Sequence, residues 1–250
     1  MKPLIIANWK MNPQSLAEAE RLFNSVKKGI KNIKEIEIVI CPPFIYIPTV
    51  QHSSIPTIKI GAQDCFWEGS GPFTGQISPL MLKNLGCQYV IIGHSARREL
   101  GETDEMINKK LRAAIKAKLK PILCVGETEK ERKKDKTFKI LREQLEKGLK
   151  GISLFKVYSL KFIVAYEPVW AIGTGNPCGP KEAKEVLLFL RKFVQPLFHS
   201  NTRPLILYGG SVNSKNAKDY IDIGFDGLLV GGASLNSEEF IKIVKEASKD

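Results

Sequence analysis

Short aliphatic and β-branched runs recur along the chain at intervals of about 25 to 40 residues, at 4–7, 36–40, 58–62, 89–92, 122–125, 162–165, 205–207 and 227–230. Most are apolar at successive positions rather than at every second one. A strand of that kind is covered on both faces, by helices on one side and by the side chains of other strands on the other, which is the habit of parallel sheets. Between the runs, apolar residues at three- and four-residue spacing predict helices over 15–28, 104–118, 139–150, 180–198 and 237–247. The helices after the second and third strands read as short. Proline agrees with this division: Asn12-Pro13 and Gly179-Pro180 place it near first helical turns, Lys120-Pro121 and Arg203-Pro204 just before strands.

No linker, low-complexity tract or shift in composition interrupts the series, so the expected organisation is one α/β domain over 1–250. Eight βα units in right-handed parallel connection close into a (β/α)8 barrel with an outer ring of helices. A doubly wound open sheet is the competing reading. It would carry a GxGxxG turn after the first strand, where this chain reads IANWKMN.

Composition narrows the classes of function. A chain of 250 residues buries about three quarters of the surface its unfolded form exposes, enough for a core without metals or disulfides. No apolar run reaches the roughly 18 residues of a membrane span, and the apolar stretch in MKPLIIANWKMN is too short for a signal-peptide core. Five cysteines (Cys41, Cys65, Cys87, Cys124, Cys178) at irregular spacing, with no CxxC pair, suggest free thiols in a reducing cytoplasm. The net charge of +12 raises the question of polyanions. The densest basic stretch, 130–139, also carries Glu131 and Asp135 and leads into an amphipathic helix, so it reads as a solvated face, and no nucleic-acid or membrane partner is expected.

In a barrel of this kind the chemistry sits where strands end, so the polar residues after each run are the candidates. They are Asn8 and Lys10 after the first, His94 after the fourth, Glu167 after the sixth, Gly209, Gly210 and Ser211 after the seventh, and Gly231 and Gly232 after the eighth. Each has a plain reading alone: an ion pair or cap for Glu167, a packed-loop hydrogen bond for His94, a surface charge for Lys10, turns for the glycines. Together, a desolvated carboxylate, an imidazole, an ammonium and two glycine-rich loops suit proton abstraction beside a carbonyl in a phosphorylated substrate. Backbone N–H groups of Ser211 and of Gly232, the latter expected to open the last helix, suit a phosphate dianion. The segment 170–175, WAIGTG, reads as an apolar flap able to exclude water and donate a further N–H. A serine triad fits poorly, because His94 and Ser95 are adjacent and no GxSxG elbow occurs. With only His52, His94 and His199 and no HExxH spacing, no metal is expected.

The chain resembles the triosephosphate isomerase family from ANWKMN (7–12) to VGGASL (230–235), through WEGSGPFTG (67–75), GHSxRR (93–98), CVGE (124–127), AYEPVWAIGTG (165–175) and YGGSV (208–212) in order. The resemblance implies a TIM barrel that interconverts dihydroxyacetone phosphate and D-glyceraldehyde 3-phosphate in glycolysis and gluconeogenesis, without a cofactor. It implies Glu167 as the base between substrate carbons, His94 as the electrophile at the oxygens, kept neutral by a helix beginning near Ser95, and Lys10 as the electrostatic binder. It further implies that Asn8 orients the oxygens, Ser95 holds Glu167 open, Gly173, Ser211, Gly231 and Gly232 bind phosphate, and Tyr208 and Glu127 steady the lid, Glu127 through Trp170. The 66–76 loop would dock into a second subunit of a homodimer, or of a higher oligomer. Four departures stand out: Ala96 where the family has an acidic residue near Lys10, a segment 99–102 shorter by one, Gln76 in place of glutamate, and Asn176-Pro177-Cys178 after the lid. The alternative is a catalytically weakened barrel kept as a phosphate-ligand-binding or structural protein, against which the intact Lys10, His94 and Glu167 argue.

Overall fold

Residues 2–152, 162–197 and 203–248 are described by a computed structural model. The eight apolar runs form parallel strands that pair in chain order and close on themselves: β1 (Leu4–Asn8), β2 (Glu37–Cys41), β3 (Ile58–Ala62), β4 (Tyr89–Ile92), β5 (Lys120–Val125), β6 (Ile163–Tyr166), β7 (Leu205–Tyr208) and β8 (Gly227–Val230). Closure is set by register, with Leu4 opposite both Glu37 and Gly227. The open doubly wound sheet is excluded.

Several strands run one residue further than the apolar pattern suggests, because the ladder continues through polar or aromatic partners such as Asn8 opposite Cys41 and Tyr166 opposite Tyr208. Pro121 lies inside β5 rather than before it, since the strand begins at Lys120, whose N–H donates to the Gln88 carbonyl at 2.8 Å. Its missing N–H does not stop Val90 from pairing with it.

The long helices are α1 (Leu16–Ile30), α5 (Asp104–Lys116), α7 (Thr137–Gly148), α8 (Pro180–Val194) and α10 (Ser237–Ala247); α2 (Ile47–His52) and α3 (Pro79–Asn84) are short, as expected. Three more short helices, α4 (Ser95–Glu99), α6 (Glu129–Arg132) and α9 (Ala217–Asp222), complete the set among the described residues. Caps fix the starts. The Ser15 hydroxyl accepts from the Glu18 N–H at 3.3 Å, so Ser15 precedes α1 and Pro13 lies outside its first turn. α5 stops at Lys116 because the chain leaves through Lys118 in the left-handed region, with φ of 60°. α8 gives way to a 3₁₀ turn over Gln195–Leu197; Phe198, the expected end, and His199 lie outside the described residues.

The core has two shells. Inside the barrel, Leu4, Ile6, Tyr89, Ile91, Ile163 and Leu207 pack on one another. The alternate residues Ile5, Val90, Val164 and Ile206 face outward against Phe23, Leu111, Leu190 and Phe240 of the helices. Each such side chain contributes about 1.5 to 3 kcal/mol by leaving water. At the lower mouth the Tyr89 hydroxyl donates to Glu37 and accepts from Lys120 Nζ at 3.3 Å. These groups sit where β2, β4 and β5 begin, at the end of the barrel opposite the strand-end candidates.

Candidate active site

The strand ends converge on a cavity of about 390 Å³ lined by Asn8, Lys10, His94, Glu167, Gly173, Ser211, Gly231 and Gly232 among others. Every direct substrate-contact candidate from the sequence is therefore on one wall or another of a single concavity. Ser95, Glu127, Trp170 and Tyr208 stand behind it.

Glu167 follows β6 directly, and its N–H donates to the Val125 carbonyl at 2.8 Å. Its side chain is 3% exposed, with Oε1 3.2 Å from His94 Nε2 and Oε2 accepting from the Ser95 N–H at 3.1 Å. The close fit of β5 against this residue demands glycine at 126, where a Cβ would stand 1.7 Å from the Glu167 carbonyl oxygen. The Cys124 thiol lies against Glu167 and is pushed well up, first by burial and then by that carboxylate's charge.

His94 is the N-cap of α4: its Nδ1 accepts from the Ala96 N–H at 3.1 Å. An acceptor Nδ1 carries no proton, so the ring proton sits on Nε2, which faces Glu167 and the cavity. The imidazole is thus aimed as a neutral hydrogen-bond donor.

Lys10 adopts the left-handed region, with φ of 54°, and the surrounding amides over-determine that turn. Its N–H donates to Asn8 Oδ1 at 3.0 Å, and its carbonyl accepts from Gln63 Nε2 at 2.8 Å. The side chain lies across Gly231, with Nζ 3.7 Å from where a Cβ would be. No carboxylate among the described residues is paired with it. Asn8, its oxygen engaged by Lys10, is left with an amide NH₂ to offer.

Gly173, Ser211, Gly231 and Gly232, from the loops that follow β6, β7 and β8, also line the cavity. Ser211 is also left-handed, with φ of 49°, and its carbonyl accepts from Asn216 Nδ2 at 3.2 Å. Gly232 does not open the last helix. It starts a separate 3₁₀ turn, Gly232–Leu235, because Asn236 breaks the chain direction and caps α10 itself.

Both ends of the 170–175 segment are tied down. Trp170 Nε1 donates to Glu127 Oε1 at 3.0 Å, as does the Tyr166 hydroxyl at 3.1 Å, and the Cys178 N–H donates to the Tyr208 hydroxyl at 2.9 Å. Burial pushes Tyr166 and Tyr208 up, so both remain protonated. Ser211 Oγ donates to the Ala171 carbonyl at 2.5 Å, fastening the segment over the β7 loop.

Sequence reasoning passed over Gln63 and Arg132. Gln63 directly follows β3, so the strand-end rule finds it, but an amide has no titratable group to draw attention. Arg132 sits in the charge run read as a solvated face, and nothing in the run distinguishes it.

A closed parallel barrel whose upper mouth gathers a carboxylate, an imidazole and an ammonium beside glycine-rich loops defines the class: a (β/α)8-barrel isomerase. A family model described as Triosephosphate isomerase matches residues 3–247. A triosephosphate isomerase of Dictyoglomus turgidum is 46% identical over 250 residues, covering 98% of this chain and 99% of that protein. One from Aquifex aeolicus is 46% identical over 248 residues, covering 98% and 99%. The crystal structure of triosephosphate isomerase from Bartonella henselae superposes with a TM-score of 0.87 at 34% identity, covering 100% of both chains. The chain belongs to the triosephosphate isomerase family.

Proposed function

We propose that Glu167 is the base that carries a proton between the two substrate carbons, with His94 donating through Nε2–H to the substrate oxygens and Lys10 binding electrostatically. As a member of its family the chain interconverts dihydroxyacetone phosphate and D-glyceraldehyde 3-phosphate. The weakened-barrel alternative is not favoured. The observation that carries the assignment of roles is the Glu167 carboxylate, nearly buried on the cavity wall 3.2 Å from the proton-bearing nitrogen of His94.

Glu167 takes the proton from the carbon next to the carbonyl, the electron pair moves into the carbonyl oxygen, and an enediolate forms. His94 steadies the oxygen that gains charge, from a nitrogen whose proton is held in place by the Ala96 N–H on the other side of the ring. Glu167 then returns the proton to the neighbouring carbon while the hydroxyl proton of the first carbon passes to the charged oxygen beside His94 Nε2, so that the aldehyde carbonyl forms. Its hydrogen bond from the Ser95 N–H holds the carboxylate away from the cavity centre between turnovers. Asn8 orients the same oxygens, and the N–H groups of Gly173, Ser211, Gly231 and Gly232 hold the phosphate. Trp170 on Glu127 and Cys178 on Tyr208 steady the lid. No cofactor or metal enters these steps.

The chain acts as one domain, in the cytoplasm, as a homodimer. In the 66–76 loop Phe66 stacks on Trp67 at 4.0 Å and meets Phe73 at 4.8 Å, and Phe73 is still 40% exposed. An aromatic cluster that stays half in water is suited to docking in a second copy. Glu167→Gln tests the base: turnover is expected to fall at least about 10³-fold while substrate still binds. Activity within a few-fold of the parent would remove Glu167 from the mechanism.

A further inference from the structure

We propose that Arg132 is a positioning residue that joins the two hinges of the 170–175 lid and sets Trp170 for closure. Its guanidinium touches three elements at once. The carbon of the fork lies 4.4 Å from the centre of the Trp170 ring system. Nη1 is 3.4 Å from Glu127 Oε1, and Nη2 is 3.8 Å from Glu182 Oε1 in the first turn of α8. Glu127 Oε1 is also the acceptor of Trp170 Nε1, and α8 begins just after Cys178, which holds the far end of the lid on Tyr208. One planar cation therefore contacts the start of the lid, the carboxylate that receives it, and the helix that carries its end.

The chemistry asks for arginine in particular. A guanidinium lies flat on an indole face, while its N–H groups point outward in the plane to carboxylates on either side. Glu127 is fully buried, its Oε2 has no partner, and Arg132 is the one cation paired with it among the described residues. Without that cation the acceptor of the Trp170 N–H is an uncompensated buried charge. The arginine is itself held, because α6 is closed by a capping box in which Thr128 and Glu131 satisfy each other, the Thr128 N–H donating at 2.7 Å. The Glu182 contact is half-exposed and weak as an ion pair. Its part is geometric, fixing the second edge of the fork to α8.

The inference deepens the lid reading above and rests on it. The readout is chosen from the intermediate. An enediolate has a phosphate ester on the carbon beside its double bond; when the lid is loose, the electron pair of the oxyanion on the far carbon of that double bond re-forms a carbonyl, the double-bond pair moves toward the ester-bearing carbon, and the C–O bond to phosphate breaks. Inorganic phosphate leaves, with the enol of a three-carbon dicarbonyl. Phosphate released per isomerisation therefore reports lid closure, and a loss of folded protein does not move it.

Three variants of the full chain are compared for kcat, KM, phosphate release and melting temperature. Arg132→Met is expected to lower kcat about tenfold with a smaller change in KM, and to raise phosphate release about tenfold per turnover. Arg132→Lys keeps the charge on Glu127 but has no plane to lay on the indole; it should melt like the parent and still release excess phosphate. Glu127→Gln should release excess phosphate too. If both Arg132 variants partition like the parent while Glu127→Gln does not, Arg132 has no part in closure and the lid anchor stands. If Glu127→Gln also partitions like the parent, the anchor fails and the role of Arg132 fails with it. A lysine variant with parental partition overturns the part given to the stacked plane.

Discussion

At Ala96 a methyl group, exposed to solvent, stands where the resemblance implies an acidic side chain, and Lys10 has no carboxylate partner among the described residues. An ammonium held only through its backbone turn samples more rotamers, and misplacement by about 1 Å can cost on the order of 10²-fold. Ala96→Glu is therefore expected to raise turnover about tenfold, roughly 1.4 kcal/mol of transition-state stabilisation, with less effect on KM. Unchanged turnover in a variant that melts like the parent would show that Lys10 is already well placed. The thiols lead to a second expectation. All five cysteines are buried, with Cys65, Cys87 and Cys178 pushed up to about 12 chiefly by burial, and Cys41 and Cys124 well above the usual range. Thiolate is the reactive form, so a disulfide reagent should titrate less than about one thiol per native chain, and all five after unfolding. Rapid reaction of the native protein would contradict this burial. That Lys10, His94 and Glu167 meet at one cavity was legible in the sequence, because each is a chemically distinctive side chain just past an apolar run. Arg132 was not, because its neighbours Lys130, Lys133 and Lys134 look identical in pattern, and only the fold turns one of them onto Trp170.

Among the elements, the strands were the most legible part, since burial on both faces writes an unbroken apolar run, and the disagreements gather at their ends. There the apolar signal stops, but the ladder continues through Asn8, Tyr166 and Tyr208. Helix ends moved for local reasons that periodicity does not carry: the Ser15 cap on α1, the left-handed Lys118 after α5, the separate turn at Gly232. The contact between β5 and β6 tests how tightly the elements place the base. A methyl group at Gly126 would meet the Glu167 carbonyl at 1.7 Å, so Gly126→Ala must push the two strand ends apart. A shift near 1 Å should lower kcat on the order of 10²-fold, while the remaining barrel keeps its secondary structure by circular dichroism. Parental activity in Gly126→Ala would mean that Glu167 reaches the substrate without this fit.

For the whole molecule, the barrel and its outer helices bring every direct-contact candidate to one cavity where the strands end. The half-exposed aromatic loop, together with exposed Met11, Ile45 and Met81, suits the proposed homodimer. Sedimentation at micromolar concentration should give about twice the 27.9 kDa of the chain. A stable monomer with full activity would overturn the docking assigned to the 66–76 loop. The central claim is that the reaction moves a proton through Glu167, and it is tested most directly by converting dihydroxyacetone phosphate in D₂O with rapid trapping of the product. A carboxylate that carries the proton exchanges it with solvent, so glyceraldehyde 3-phosphate should carry deuterium on the carbon next to the aldehyde, and Glu167→Gln should remove both conversion and label. Product formed at the normal rate with no deuterium at that carbon, or label and rate surviving in Glu167→Gln, would contradict it.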